Sequence, residues 1–486
     1  MWRFRRRSVT VVVSVLVLVV ALVGFAAWYY LLRQRIPTYE SAIEHFKYAS
    51  IGVEAANGVP YWIWYVLPRV FPDKVPVTPG PDGLVDVKQA YESFGFIWED
   101  GRDAPIGLPI ATVGFRRIGI NCALCHTATV RDSATAPARI LVGAPSGQLD
   151  LQRYLRFLYA AAGDSRFEPR IILPEIERVH RLPVVERWLY RLLVIPRMRA
   201  ALLRQRAQLA WMDRAPDWGP GRSDPFNPAK TQILELPADG TVGNSDVVPL
   251  WNFQRRQNYS LHWDGLNSSL DEVFLNSGIG NGASAKTLDR PSLDRMKAFV
   301  MTLPPPAYPY AIDQAAAQRG AAVFQEHCAG CHAFGGAQTG KPIRLTEAAM
   351  ATDPERWRSW SEYAARAFND LTAYPWRYTQ FRRTPGYVAV PLDGVWVRAP
   401  YLHNGSVPSL EALLAPPHER PAVFYRGSSV YDPQRVGFVS DNRNAADRAV
   451  FRFETRQRGN DNGGHLWGTG LDKKTKDALI EYLKTL

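Results

Sequence analysis

Uncharged positions run without a break from Val9 to Leu32, a stretch of 24 residues. As a helix it would be about 36 Å long, enough to cross a bilayer. The seven residues before it carry four arginines, Arg3, Arg5, Arg6 and Arg7. Such a cluster holds that end in the cytoplasm, and Trp28, Tyr29 and Tyr30 suit the far interface. The pattern predicts one N-terminal transmembrane helix, with residues 1–33 as basic end and anchor. A cleaved signal peptide is the rival reading. The apolar run is longer than a usual signal core, and Gly24 to Ala27 offers a weak cleavage site. Either way, the rest of the chain is exported.

Beyond Arg33 the apolar positions follow helical spacing over several stretches. Leu149 to Leu158 and Val184 to Met212 carry apolar residues three to four apart with arginines between them. Ala311 to Glu326 reads as another helix, and so does Leu471 to Leu486, with Leu479, Ile480, Leu483 and Leu486 on one face. Gly58 to Pro68 is aromatic and apolar between prolines, and reads as core. Residues 214–245, rich in Pro, Gly, Asp and Asn, read as loop, as does Pro76 to Gly83. Pro304, Pro305, Pro306 and Pro309 follow a helix ending at Leu303 and mark a stiff linker. The expected fold class is mainly α. Its domains are 34–303, 304–310 as linker, and 311–486.

Composition changes this picture little. The 486 residues are 46% hydrophobic and 21% charged, ordinary for a globular protein of two or three domains. The formal charge of +12 comes partly from the basic N-terminus and partly from a cluster between Arg166 and Arg222. A solvated basic surface near a membrane explains it, and so would docking of an acidic redox partner. No basic-aromatic nucleic-acid module is present.

The four cysteines change it a great deal. They fall in Cys122-Ala123-Leu124-Cys125-His126 and Cys328-Ala329-Gly330-Cys331-His332. C-x-x-C-H is the attachment pattern of c-type haem. Two thiols at that spacing reach both vinyl groups of one haem, and the adjacent His binds the iron. A structural zinc site would need four ligands at other spacing, and a thioredoxin-like motif would leave the His unexplained. Two covalent haem c groups are therefore expected, on Cys122, Cys125, His126 and on Cys328, Cys331, His332. Covalent haem attachment takes place outside the bacterial inner membrane, which agrees with export and predicts periplasmic haem domains.

The two halves also repeat. Leu261-His262-Trp263-Asp264-Gly265 to Asp271 aligns without gaps on Tyr401-Leu402-His403-Asn404-Gly405 to Glu411, and Ser292 to Leu303 resembles Thr475 to Leu486. A duplication would give two cytochrome c-type haem domains in equivalent arrangement.

With these motifs the chain, over roughly residues 40–486, resembles the bacterial di-haem cytochrome c peroxidase superfamily. The long insert between His126 and Trp263 looks closest to its rubber-oxygenase-like branch. The resemblance implies that the N-terminal haem is reactive and the C-terminal one handles electrons. It implies that Trp263 relays electrons between them, and it admits a Ca2+ ion between the domains. The chain departs from the peroxidases in one respect. Their acid–base Gln is replaced by Val273, and no Glu occurs between Val273 and Val300. The run Ser277 to Ala283 instead suggests an apolar, Gly-lined pocket, more like the oxygen-binding branch.

Haem iron takes a second axial ligand for electron transfer and keeps an open side for chemistry. For the second haem, Met350 lies close behind His332, so His465 is the first candidate and His403 the alternative. For the first haem the candidates are His180, Met198, Met212 and His262, with an open or weakly ligated iron favoured. The expected function is a membrane-anchored periplasmic di-haem oxidoreductase that takes a small oxidant, peroxide or O2, at the first haem. The alternative is a pure electron-transfer cytochrome of a respiratory chain. Rubber cleavage does not suit a membrane-tethered chain.

Overall fold

The computed structural model describes residues 13–21, 24–25, 28–29, 33–441 and 450–486. Of the expected transmembrane span from Val9 to Leu32, residues 13–21, 24–25 and 28–29 are described, while its remaining residues and the basic end before it lie outside the described residues. Among the described residues no helix is long and apolar enough to cross a membrane. From Arg33 onward the chain is mainly helical, with short antiparallel strands between the helices.

The first core is built on the aromatic stretch. Tyr61–Val70 is a helix whose Ile63, Trp64, Val66 and Leu67 are fully buried. Pro68 lies inside it and has no N–H to give the Trp64 carbonyl. The Tyr91 hydroxyl donates to that carbonyl instead, so the missing helical bond is replaced rather than left open. Helices Leu151–Gly163, Pro169–Val179 and Ile195–Gln208 close over this core. The segment read as one helix from Val184 is Val184–Leu189, a π-helical turn Tyr190–Val194, and then Ile195–Gln208.

A four-stranded antiparallel sheet runs beside this core. It contains β1 (Gln34–Arg35), β2 (Val59–Pro60), β3 (Ile110–Val113) and β4 (Phe115–Ile118), in the order β1-β3-β4-β2. It ties the segment that begins at Arg33 to the one that leads into the first C-x-x-C-H motif.

The C-terminal half is organised on two crossed helices. Gln314–His327 begins at Asp313, whose side chain accepts from the Ala316 amide. Lys473–Leu483 begins at Asp472, which caps in the same way through Thr475. The two helices touch at Gly320, where a Cβ would stand 1.9 Å from the Ala478 carbonyl oxygen. Only glycine permits that approach. Around this crossing Phe324, Leu479, Ile480 and Leu483 pack with Trp396, Tyr401 and Tyr431. The Pro-rich linker lies on this second core: Trp396 Nε1 donates to the Pro306 carbonyl at 2.8 Å, and the Tyr308 ring meets Trp396 edge-on.

Candidate functional site

The first motif enters on a single 3₁₀ turn, Cys122–Leu124. Asn121 sets it up. Its Oδ1 accepts from the Ala123 amide, and its Nδ2 donates to the Phe46 and Ala49 carbonyls. Burial pushes the Cys122 thiol up to about 12 and Cys125 up to about 11, as expected for thiols in apolar surroundings. The His126 ring is held by Nδ1, 2.9 Å from the Val248 carbonyl oxygen. Burial pulls this imidazole down to about 4. A neutral ring that donates from Nδ1 presents its Nε2 lone pair to a metal.

The second motif repeats this arrangement on a different backbone. Gln314–His327 delivers Cys328, and a single helical turn, Ala329–His332, carries the rest. His332 Nδ1 lies 2.7 Å from the Val390 carbonyl oxygen. Val248 and Val390 each open a Val-Pro-Leu segment, a second repeat that the motif search missed. It falls 13 residues before Leu261 but 11 before Tyr401, so the gapless alignment of the two turns does not bring it into register.

His465 stands opposite His332, with 6.2 Å between the ring centres. A metal about 2 Å from each imidazole nitrogen, with each ring centre about 1 Å further on, separates two facing rings by about 6 Å. The pair thus fits two imidazoles on either side of one iron. Burial and the neighbouring His332 pull His465 down to about 3, so this ring too is neutral. Its Nδ1 is buried without a hydrogen-bond partner among the described residues.

The loop that carries His465 is tightly specified. Gly464 (φ +71°) and His465 (φ +48°) are consecutive left-handed residues. A Cβ on Gly464 would come 2.2 Å from the Met350 carbonyl oxygen, the same oxygen that accepts the His465 amide. Arg420 secures the loop from the other side. Its guanidinium is buried and donates to the Asn462, Gly464 and His465 carbonyls at 2.6, 2.8 and 3.2 Å. It also donates to Leu413 and Ala415. Arg420 was not among the sequence candidates, because its partners are backbone oxygens that carry no sequence signature.

Among the described residues no imidazole faces His126 at such a distance. His180 stacks on Trp62, 4.1 Å between ring centres. His45 bonds to Ser292. Met212 is buried in the first core, with Met198 packed at its margin. His327 lies beside Glu326 on the surface. The alternative ligand His403 does not face His332. It is buried and stacked on Tyr387, 3.9 Å between ring centres, with Nε2 unpartnered among the described residues.

The repeated turns have the same geometry. Leu261 bridges Asn267, and Tyr401 bridges Val407. His262 (φ +64°) and Leu402 (φ +68°) occupy the same left-handed position. His262 is half-buried and pulled down to about 4 by burial. Trp263 links the two halves. Its Nε1 donates to the Asp246 carbonyl at 2.7 Å, and its own carbonyl accepts from the Val388 amide at 2.7 Å. Asp246 is two residues before Val248, and Val388 two before Val390. A path of covalent and hydrogen bonds therefore runs from His126 through Trp263 to His332. The Gly-lined run is largely the end of a helix, Leu270–Gly280, followed by Gly282 beside Val53 and Asn57. No group of three or more His, Cys, Asp or Glu that could hold a metal ion occurs among the described residues.

Comparison with known proteins supports the second motif directly. Residues 317–392 match the cytochrome c family model, and residues 386–425 match the model of RoxA-like, cytochrome c-like domains. The uncharacterized protein y4iJ of Sinorhizobium fredii (strain NBRC 101917 / NGR234) is 24% identical over 520 aligned residues, covering 81% of this chain and 84% of that protein. The uncharacterized protein y4iM of the same strain is 31% identical over 290, covering 52% of this chain and 66% of its own length. The chain thus contains cytochrome c-like domain sequence. It implies covalently bound haem c and a haem-based electron-transfer or oxidoreductase role.

Proposed function

We propose that the protein is a membrane-anchored periplasmic di-haem c-type cytochrome oxidoreductase of the di-haem peroxidase superfamily, near its rubber-oxygenase-like branch. The observation that carries this reading is the inequality of the two histidines. His332 is faced by His465, and among the described residues no imidazole faces His126. A haem c at each motif would supply a one-electron redox centre, held by Cys122, Cys125 and His126 and by Cys328, Cys331 and His332. His465 closes the far side of the second site, which suits electron transfer. The side opposite His126 is left for a small oxidant, peroxide or O2.

The chain's own residues perform three tasks in this reading. Val248 and Val390 fix the tautomer and orientation of the two proximal rings through Nδ1. Trp263 supplies an aromatic ring on a continuous bonded route between them. The uncharged run before Arg33 holds the protein at the inner membrane, where a redox partner, acidic if the basic surface serves for docking, would meet it. Spectra of the oxidised and reduced holoprotein test the proposal. One low-spin and one high-spin haem are expected, with CO binding to one of them on reduction. Two six-coordinate low-spin haems that bind nothing would overturn it.

The second reading, a pure electron-transfer cytochrome, is favoured by the lack of an acid–base side chain at Val273. It predicts that both irons are capped and that peroxide is not consumed.

A further inference from the structure

The long insert carries a helical arm, Val184–Gln208, whose outer face has no partner among the described residues. Among the described residues beyond Ile43, large exposed apolar side chains are scattered singly, except here. Val184 (73% exposed), Trp188 (55%) and Leu192 (62%) follow one another at a spacing of four, with Val185 and Leu193 beside them. The π-helical turn Tyr190–Val194 keeps this stripe on one side, while Tyr190, Val194, Ile195 and Leu202 are buried behind it. A contiguous apolar stripe on a surface helix marks an interaction site.

Two observations identify what covers it. The first is charge. Residues 181–206 contain seven arginines and one carboxylate, Glu186. Arg181, Arg187, Arg191 and Arg197 are all exposed along the stripe, and Arg191 lies over the Trp188 ring. Apolar and tryptophan side chains on one face, bordered by arginines, are the composition of a helix lying in a membrane interface. The second is position. The arm is joined to the point where the chain leaves its uncharged N-terminal run. The Arg33 charge acts on Glu186. Tyr190 meets Phe115 of β4 edge-on, and β4 is linked through β3 to β1 at Gln34–Arg35.

We propose that the arm Val184–Gln208 lies on the outer surface of an anionic phospholipid bilayer. Val184, Trp188 and Leu192 enter the acyl region, and the flanking arginines meet lipid phosphates. With the anchor, this second contact fixes the orientation of the haem domains above the membrane rather than leaving them on a flexible tether. The proposal draws on the anchor reading for the plane of approach, and its test separates the two.

The experiment uses the full-length holoprotein in phosphatidylethanolamine–phosphatidylglycerol vesicles. Single cysteines replace Trp188, Leu192 or, as a control on the C-terminal helix, the exposed Lys473. Each is labelled with a polarity-sensitive fluorophore, and the haem absorbance verifies folding. Acyl-chain spin labels should quench the labels at 188 and 192 roughly threefold more than the label at 473. Replacing phosphatidylglycerol by phosphatidylcholine should weaken that difference. Equal, weak quenching at all three positions in vesicle-bound protein would overturn the proposal. So would shielding of 188 and 192 from aqueous iodide without vesicles, which would assign the stripe to a second copy of the chain. Alkaline carbonate extraction of wild type reads the anchor separately. Extraction together with strong quenching at 188 and 192 would remove the anchor reading and leave the arm standing.

Discussion

His465 faces His332 with 6.2 Å between ring centres, whereas the alternative, His403, is stacked on Tyr387. The two histidines therefore have different expected phenotypes. His465→Ala should convert one haem from low to high spin and open it to CO, leaving the other spectrum unchanged. His403→Ala should leave both spin states intact. Absorption and electron paramagnetic resonance spectra check this, and an unaltered low-spin signal in His465→Ala would exclude it as a ligand.

Arg420 acts on the same iron at one remove. It donates to three carbonyls of the loop 462–465, whose left-handed backbone at Gly464 and His465 is held on the other side by the Met350 carbonyl. Arg420→Gln leaves several buried carbonyls unpaired and should cost about 2–4 kcal/mol. Loss of stability alone would not distinguish a positioning role. The distinguishing result is a partial high-spin signal at temperatures where the protein is still folded. Gly464→Ala should give the same signal, because its Cβ would strike the Met350 carbonyl. Native spin states in both variants would make Arg420 a purely structural residue.

Trp263 is placed to connect the halves through Asp246 and Val388. Trp263→Phe keeps an aromatic ring and loses the Nε1 bond, at a cost of about 1 kcal/mol. Both haem spectra should be retained while electron exchange between them slows, by about tenfold or more. Flash photolysis of the half-reduced, CO-bound protein measures this. An unchanged rate would remove Trp263 from the path.

Much of this was legible where the information is local. The helical spacing of Leu149 to Leu158 gave a helix, though it starts at Leu151, and both haem motifs were plain. His465 could be named because its loop precedes the closing helix. What stayed hidden was set by contacts distant in sequence. The carbonyls that orient His126 and His332 lie 122 and 58 residues away. The π-helical turn at Tyr190–Val194 leaves no trace in apolar periodicity. The Tyr91 hydroxyl that replaces the Pro68 hydrogen bond follows from a proline in a helix only once the fold brings Tyr91 there.

A buried carboxyl supplies a pH dependence with a definite sign. Glu54 is 1% exposed. Its Oε2 accepts from Ser50, and its Oε1 has no hydrogen-bond partner among the described residues. Burial, opposed by the Ser50 bond, raises it from 4.5 to about 7. The native state thus holds this proton more tightly than the unfolded chain. Stability from this group is complete below the unfolded value of 4.5 and is lost as pH rises toward 7, by about 3 kcal/mol in all. Above about 7 the loss is constant. Glu54→Gln keeps the acceptor for Ser50 and removes the titration. Denaturant unfolding of the holoprotein across this range should show wild type losing ground to the variant as pH rises from 4.5 to 7. A stability difference that does not change with pH would mean that Glu54 is already ionised in the fold.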